Sequence, residues 1–109
     1  MLTMMKMPNL DFEPIMRELA ESGRQTHTLW QEPDSMAFIA RGRTYRSEFH
    51  INASYEIQYS LKGDLHLHYR TPEGKELIEL VPEGSCLFQP PFVPHSPRFG
   101  PTAFQFSSR

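Results

Sequence analysis

The sequence predicts one small all-β domain, a barrel or sandwich, preceded by a single short helix. Three observations carry that expectation. The chain is 109 residues long, which suits one hydrophobic core and leaves no room for a second domain. Helical periodicity occurs once, over residues 10–23. After it the hydrophobic period becomes two, in short runs rich in β-branched and aromatic residues and separated by Gly, Pro, Asn or Asp. Residues 1–9 are read as an N-terminal tail and 10–109 as the single domain, helix included.

In the helical segment, Phe12, Ile15, Met16 and Leu19 stand at i, i+3, i+4 and i+7. Asp11 is the expected N-cap, Pro14 suits the first turn, and Gly23 is the expected stop. Strands are expected over residues 36–41, 45–51, 55–61, 64–69, 76–81, 85–89 and 102–106. Short strands at this spacing point to a sandwich or barrel and away from a βαβ sheet. Lys62-Gly63-Asp64 and the loop at 71–75 read as hairpin connections, so neighbouring strands are expected to run antiparallel. Several of the ten prolines fall between Pro82 and Pro101, which reads as ordered rim loops.

Composition narrows the function classes. A net charge of −2 with 22% charged residues argues against a polyanion-binding surface, so nucleic acid is not an expected partner. No run approaches the roughly 18 apolar residues of a membrane span, and the Met-rich start lacks the apolar core of a secretory signal. The single cysteine, Cys86, cannot form an internal disulfide. A cytoplasmic protein is the expectation, with Cys86 a small core residue and not a catalytic thiol.

The residues that carry chemistry gather around one strand. Along 55–61 the odd positions Tyr55, Ile57, Tyr59 and Leu61 are large and apolar, while Glu56, Gln58 and Ser60 share the other face. A carboxylate on such a strand is ordinarily solvated. Here, however, His50 lies six residues before Glu56, and the turn-like Asn52-Ala53-Ser54 folds it back towards that carboxylate. His95 follows the rigid stretch Gln89-Pro90-Pro91-Phe92-Val93-Pro94, which holds it at a fixed place on the rim. Two imidazoles and one carboxylate form the facial triad that suits non-haem Fe(II) and leaves positions open for substrate and oxygen. Taken from spacing alone, the metal site and a chance arrangement stand about even.

The run Gly42, His50-Ile51-Asn52, Glu56, Gly63, followed by Gly84, Pro90 and His95, resembles the two motifs of the cupins, with six residues between Glu56 and Gly63. Most cupins carry a second histidine where this chain has Asn52, which reduces the usual four ligands to three. Arg46-Ser47-Glu48-Phe49-His50, Tyr55-Glu56-Ile57-Gln58-Tyr59 with Lys62-Gly63-Asp64, and Phe92-Val93-Pro94-His95-Ser96-Pro97 resemble more narrowly the 3-hydroxyanthranilate 3,4-dioxygenases. These are Fe(II) cupin enzymes that open an aminophenol ring with O2 between tryptophan and quinolinate. The similarity runs from about Leu10, through Leu29-Trp30-Gln31, to the last strand.

That resemblance implies a cupin barrel (double-stranded β-helix, or jelly-roll), Fe(II) as cofactor, and an aromatic substrate and O2 as partners. It places His50, Glu56 and His95 on the iron ligands and Arg46 on an arginine that serves the substrate and oxygen pocket. The family's second pocket arginine falls on Phe99, with Arg98 one place early as the available substrate-binding cation. Its acidic pocket residue falls on Ser107 or Ser108, and its pocket asparagine on Thr26. The C-terminal CxxC pairs of bacterial members have no counterpart here, so no second metal site is expected. By analogy with other cupins, a homodimer is expected.

Several residues carry two readings. Glu48 matches an acidic family position and is either a group orienting a ligand or an exposed strand carboxylate. His66 and His68, at i and i+2, read as a solvated outer face more than as a metal pair. Trp30 is expected in core or interface, and His27 is assigned no role. Two alternatives to the ring-cleaving dioxygenase stand beside it: a metal cupin acting on a different aromatic acid, and a non-catalytic ligand-binding cupin.

Overall fold

A computed structural model describes residues 9–44 and 47–109, so Tyr45 and Arg46 lie outside the described residues. The helix α1 (Phe12–Ser22) forms where the periodicity places it. Asp11 caps it, its side chain accepting from the Glu13 N–H at 3.2 Å. Gly23 ends it in the left-handed region at φ 81°, donating its N–H to the Leu19 carbonyl at 3.3 Å.

Eight strands follow: β1 (Thr26–Glu32), β2 (Ser35–Arg41), β3 (Glu56–Lys62), β4 (Leu65–Arg70), β5 (Glu76–Val81), β6 (Cys86–Gln89), β7 (His95–Arg98) and β8 (Phe104–Ser108). They make a five-stranded sheet in the order β1-β2-β8-β3-β6 and a three-stranded sheet in the order β5-β4-β7. Every strand pairing in both sheets is antiparallel. The two sheets are hydrogen-bonded separately, so the barrel is not closed among the described residues.

Two expected strands are corrected, and two strands, β1 and β7, are additional to those expected. The strand expected at 45–51 is absent where it can be seen: Ser47, Glu48 and Phe49 are irregular, and His50 makes one isolated bridge with His95. The last strand begins at Phe104, because the Ala103 N–H closes a turn onto the Gly100 carbonyl at 3.0 Å. β1 was hidden by its polar residues, and an edge strand tolerates these because one side faces water. β7 was hidden by Pro97, which a ladder accepts only at its margin, and β7 is the margin of its sheet.

Packing follows strand parity. Leu19, Ile39 and Phe104 form one buried cluster, joined by Phe12, Ile15, Met16, Leu29, Leu61 and Phe106, so the apolar stripe of α1 covers an outer face of the large sheet. Leu65, Leu67 and Val81 form a second cluster with Leu87 and Phe99. Outward positions beyond the helix stay exposed, with the Tyr55 and Phe88 rings 5.6 Å apart. Cys86 is exposed on edge strand β6 and is no core residue, because parity there turns Cys86 and Phe88 outward and Gln89 inward. Trp30 is 38% exposed on edge strand β1, its indole N–H donating to Ser35 Oγ at 2.9 Å. Among the described residues no helix is long and apolar enough to cross a membrane.

At Gly42 the chain passes close against the backbone of Phe99 and Gly100. A β-carbon there would stand 2.0 Å from the Gly100 carbonyl oxygen and 2.3 Å from that of Phe99, both backbone atoms held by the Gly42-to-Ala103 and Arg43-to-Phe99 hydrogen bonds. Gly42→Ala should therefore destabilise the fold by about 1–3 kcal/mol, as overpacking does, read as a lowered midpoint of urea unfolding with unchanged slope.

Candidate metal centre

Strand β3 turns its polar side inward. Glu56, Gln58 and Ser60 are 4%, 3% and 0% exposed, while Tyr55 and Ile57 are 55% and 36% exposed. Pairing explains how an interior row of polar groups is tolerated. Gln58 stands opposite Ser107 in the β3–β8 ladder and accepts from the Ser107 hydroxyl at 3.0 Å. Ser60 stands opposite Gln105, accepts from its amide at 2.7 Å and donates to the Val81 carbonyl at 2.8 Å. Gln58 and Ser60 thus each find a partner on β8.

Glu56 is the costly member, since a carboxylate out of water must be compensated by donors or cations. Gln58 donates to its Oε2 at 3.1 Å, and Asn52 donates to its Oε1. Arg109 approaches Oε1 at 3.5 Å. On the remaining side stands His95, with Nε2 3.9 Å from Glu56 Oε1.

The tautomer of His95 follows from its other nitrogen. Nδ1 lies 3.0 Å from the Val93 carbonyl oxygen, which can only accept, so Nδ1 carries a proton and Nε2 is the nitrogen turned towards Glu56. The Gln89 amide is 3.1 Å from the same Nδ1, and Gln89 Oε1 has no partner among the described residues. Turning that amide over sets Oε1 against the Nδ1 proton and satisfies both. The result is that Nε2 and a carboxylate oxygen face one another, buried and too far apart for a hydrogen bond. An imidazole nitrogen and a carboxylate oxygen set this way are two donor atoms that a cation between them could share, so the donor chemistry fits a divalent metal.

His50 joins them through the backbone. Its N–H donates to the His95 carbonyl at 2.7 Å and its carbonyl accepts from the His95 N–H at 2.9 Å, and the two rings stand 6.1 Å apart. His50, Glu56 and His95 line one cavity of about 240 Å³. The side chains do not converge into a finished cage: among the described residues no three His, Cys, Asp or Glu are placed to hold a metal. Asn52 and Arg109 both engage Glu56 Oε1, the oxygen that is turned towards His95.

The other expected site residues divide sharply. Thr26 and Ser107 line the cavity, as does Phe99. Arg98 does not, although it was the expected substrate cation. On β7 the cavity is lined by His95 and Pro97, continuing to Phe99, so Arg98 faces the opposite way. Its Nε donates to Ser96 Oγ at 3.3 Å and its guanidinium lies 5.9 Å from the Phe49 ring. Glu48 is exposed and accepts from Arg43 at 2.5 Å. Its backbone hydrogen bond and the Arg43 guanidinium hold its carboxyl down at about 2. Arg46 lies outside the described residues. His68, on the outer face of β4, sits 3.1 Å from Glu76, and this hydrogen bond holds the Glu76 carboxyl below its ordinary value.

Sequence reasoning missed four residues around the carboxylate and imidazole: Asn52, Gln58 and Gln89 as hydrogen-bond partners, and Arg109 as a cation in the cavity. Gln58 was visible by parity, two positions from Glu56. Arg109 was visible by the same rule, at i+4 from Gln105 and i+2 from Ser107, once the last strand is carried two residues further.

No protein-family profile matches the chain. Among curated proteins it is 35% identical over 81 residues to the 3-hydroxyanthranilate 3,4-dioxygenase of Bacillus thuringiensis, covering 74% of this chain and 45% of that protein. It is 37% identical over 70 residues to the one from Shewanella woodyi, covering 64% and 36%. The chain therefore spans less than half the length of these curated relatives. Among solved structures its backbone is similar to hydroxypropylphosphonic acid epoxidase (HppE) in an Fe(II) form, at TM-score 0.65 and 19% identity over 76% of this chain and 48% of that one. It is also similar to protein NMB1881 from Neisseria meningitidis, at TM-score 0.58 and 16% identity over 78% and 81%. The chain thus has the cupin-like fold of these neighbours and, over about three quarters of its length, resembles 3-hydroxyanthranilate 3,4-dioxygenases in sequence.

Proposed function

We propose that this domain is the metal-binding barrel of an Fe(II)-dependent ring-cleaving dioxygenase that acts with O2 on a 3-hydroxyanthranilate-like aminophenol. One observation carries the reading: a buried carboxylate oxygen and the Nε2 of a buried imidazole face one another across 3.9 Å inside a cavity, with a second histidine bridged to the first. The sequence similarity to the named dioxygenases supports the choice of reaction.

His50, Glu56 and His95 are the residues that would hold the metal. When bound, Fe(II) supplies a site where an aminophenol and O2 meet and exchange electrons. The chain's own residues do the rest. Val93 and Gln89 fix the His95 ring so that Nε2 faces Glu56. Gln58 holds Glu56 Oε2, itself held by Ser107, which fixes the orientation of the carboxylate. Phe38, Pro97 and Phe99 give the cavity apolar walls against which an aromatic ring can lie. A volume of about 240 Å³ lies just below the range typical of drug-sized ligands and suits a single-ring molecule.

A second reading, a metal cupin acting on a different aromatic acid, is favoured by one observation: Phe99, and no arginine, lines the cavity at the family's second arginine position. The two are separated by substrate. The Fe(II)-loaded protein, given 3-hydroxyanthranilate in air, should consume one O2 per ring opened, followed by product absorbance and an oxygen electrode. Full iron occupancy with no ring-opened product removes the first reading, and uptake with other aminophenols or catechols alone selects the second.

The metal ligands are tested without turnover. Glu56→Gln and His95→Ala should each weaken Fe(II) binding by more than about 100-fold, beyond what loss of an outer hydrogen bond costs. Anaerobic competition with a chelator measures this, and His50→Ala with unchanged metal affinity would remove His50 from the set.

A further inference from the structure

The cavity that holds Glu56 also holds a cation that the expected site did not include. Arg109 follows β8 directly, and its backbone is fixed to Met36 by two hydrogen bonds, N–H to carbonyl at 2.9 Å and the reverse at 2.7 Å. Strand parity carries it to the same face as Gln105 and Ser107, and all three line the cavity. Among the described residues Arg109 is the cationic side chain that does so. Its side chain is 33% exposed, while the Glu56 side chain is 5% exposed.

Its contacts are few for a group with five N–H donors. One nitrogen reaches Glu56 Oε1 at 3.5 Å, a long hydrogen bond to an oxygen that Asn52 already engages. The other approaches Met36 Sδ at 3.6 Å, and a thioether is a weak acceptor. Most of the planar donor edge is left for a further acceptor. Charge points the same way. Without a metal, Glu56 and Arg109 balance one another. A divalent ion taken up by Glu56 adds two positive charges, and the cavity then favours an anion. Arg98, the other arginine considered for this role, faces away.

We propose that Arg109 is the anion-recognising residue of this cavity, pairing with the carboxylate of an aromatic acid whose ring lies between the apolar walls and whose heteroatoms face the metal ligands. The inference rests on the metal-site reading above and names the substrate feature that the site selects. An aromatic acid binds through the forked guanidinium, and the same ring lacking its carboxylate gains nothing from Arg109.

Calorimetric titration of the anaerobic Fe(II)-loaded protein with 3-hydroxyanthranilate and with 2-aminophenol, which lacks the carboxylate, tests it. In the unaltered protein 3-hydroxyanthranilate should bind more tightly. Arg109→Met should weaken it about 10- to 100-fold, the loss expected for a charge-assisted hydrogen bond, and leave 2-aminophenol within about twofold. Arg109→Lys, which keeps the charge and loses the fork, should fall between and controls for folding. Equal weakening of both ligands, or a loss of Fe(II) affinity in both variants, overturns the inference and leaves Arg109 as a group that positions Glu56. No uptake of Fe(II), or no preference for the carboxylate-bearing ligand, also overturns it. Discrimination through Arg109 without ring-opened product in air overturns the proposed reaction alone.

Discussion

A carboxylate buried inside a small β-domain is the constraint around which the rest of this structure is arranged. Glu56 is 4% exposed, and a group of that kind persists only if its environment supplies donors or positive charge. The chain meets that demand by turning the polar side of β3 inward and facing it with polar positions of the paired strands, Gln89 on β6 and Ser107 and Gln105 on β8. The apolar positions of β3 and β8 are then left on the outside of the large sheet. The helix α1 is needed to cover them where Leu61, Phe104 and Phe106 gather. The N-terminal helix and the interior carboxylate are thus two consequences of one choice of strand face.

The second element of the design is the placement of His95. Its backbone bridges to His50, its Nδ1 is held by Val93, and it lies at the start of an edge strand that also carries Pro97. A residue fixed at backbone and ring has little freedom, so Nε2 faces Glu56 whether or not anything stands between them. Arg109 and Asn52 compensate the carboxylate in the meantime. In the proposed metal-bound state their hold on Oε1 is what a metal would have to displace, and the Arg109 guanidinium would be freed with it.

Much of this was legible in the sequence, and the limits have physical causes. The helix with its Asp11 cap and Gly23 stop was read from local rules, since caps and 3.6-residue periodicity are local properties. Alternation along β3 correctly grouped Glu56 with Gln58 and Ser60, yet period two says which residues share a face and not which face is buried. That decision belongs to Ser107, Gln105 and Gln89, which are distant in sequence. β7 escaped notice because it is four residues long, contains proline and follows a proline-rich loop. The position of Arg98 has a related reason: only with β7 defined does parity send it away from the cavity that His95 and Pro97 line. Arg109 lay beyond the expected end of the last strand, whose start at Phe104 is set by the turn onto Gly100.

The central claim is that Glu56 and His95, joined by His50, present their donor atoms to one divalent ion. X-ray absorption on the anaerobically reconstituted Fe(II) protein tests it most directly, because the scattering pattern of imidazole rings reports how many histidines ligate the metal. The account predicts two imidazoles and oxygen donors in the unaltered protein, and one imidazole in His95→Ala at forcing iron concentration. A shell of oxygen donors alone, or a spectrum that His95→Ala leaves unchanged, would contradict it.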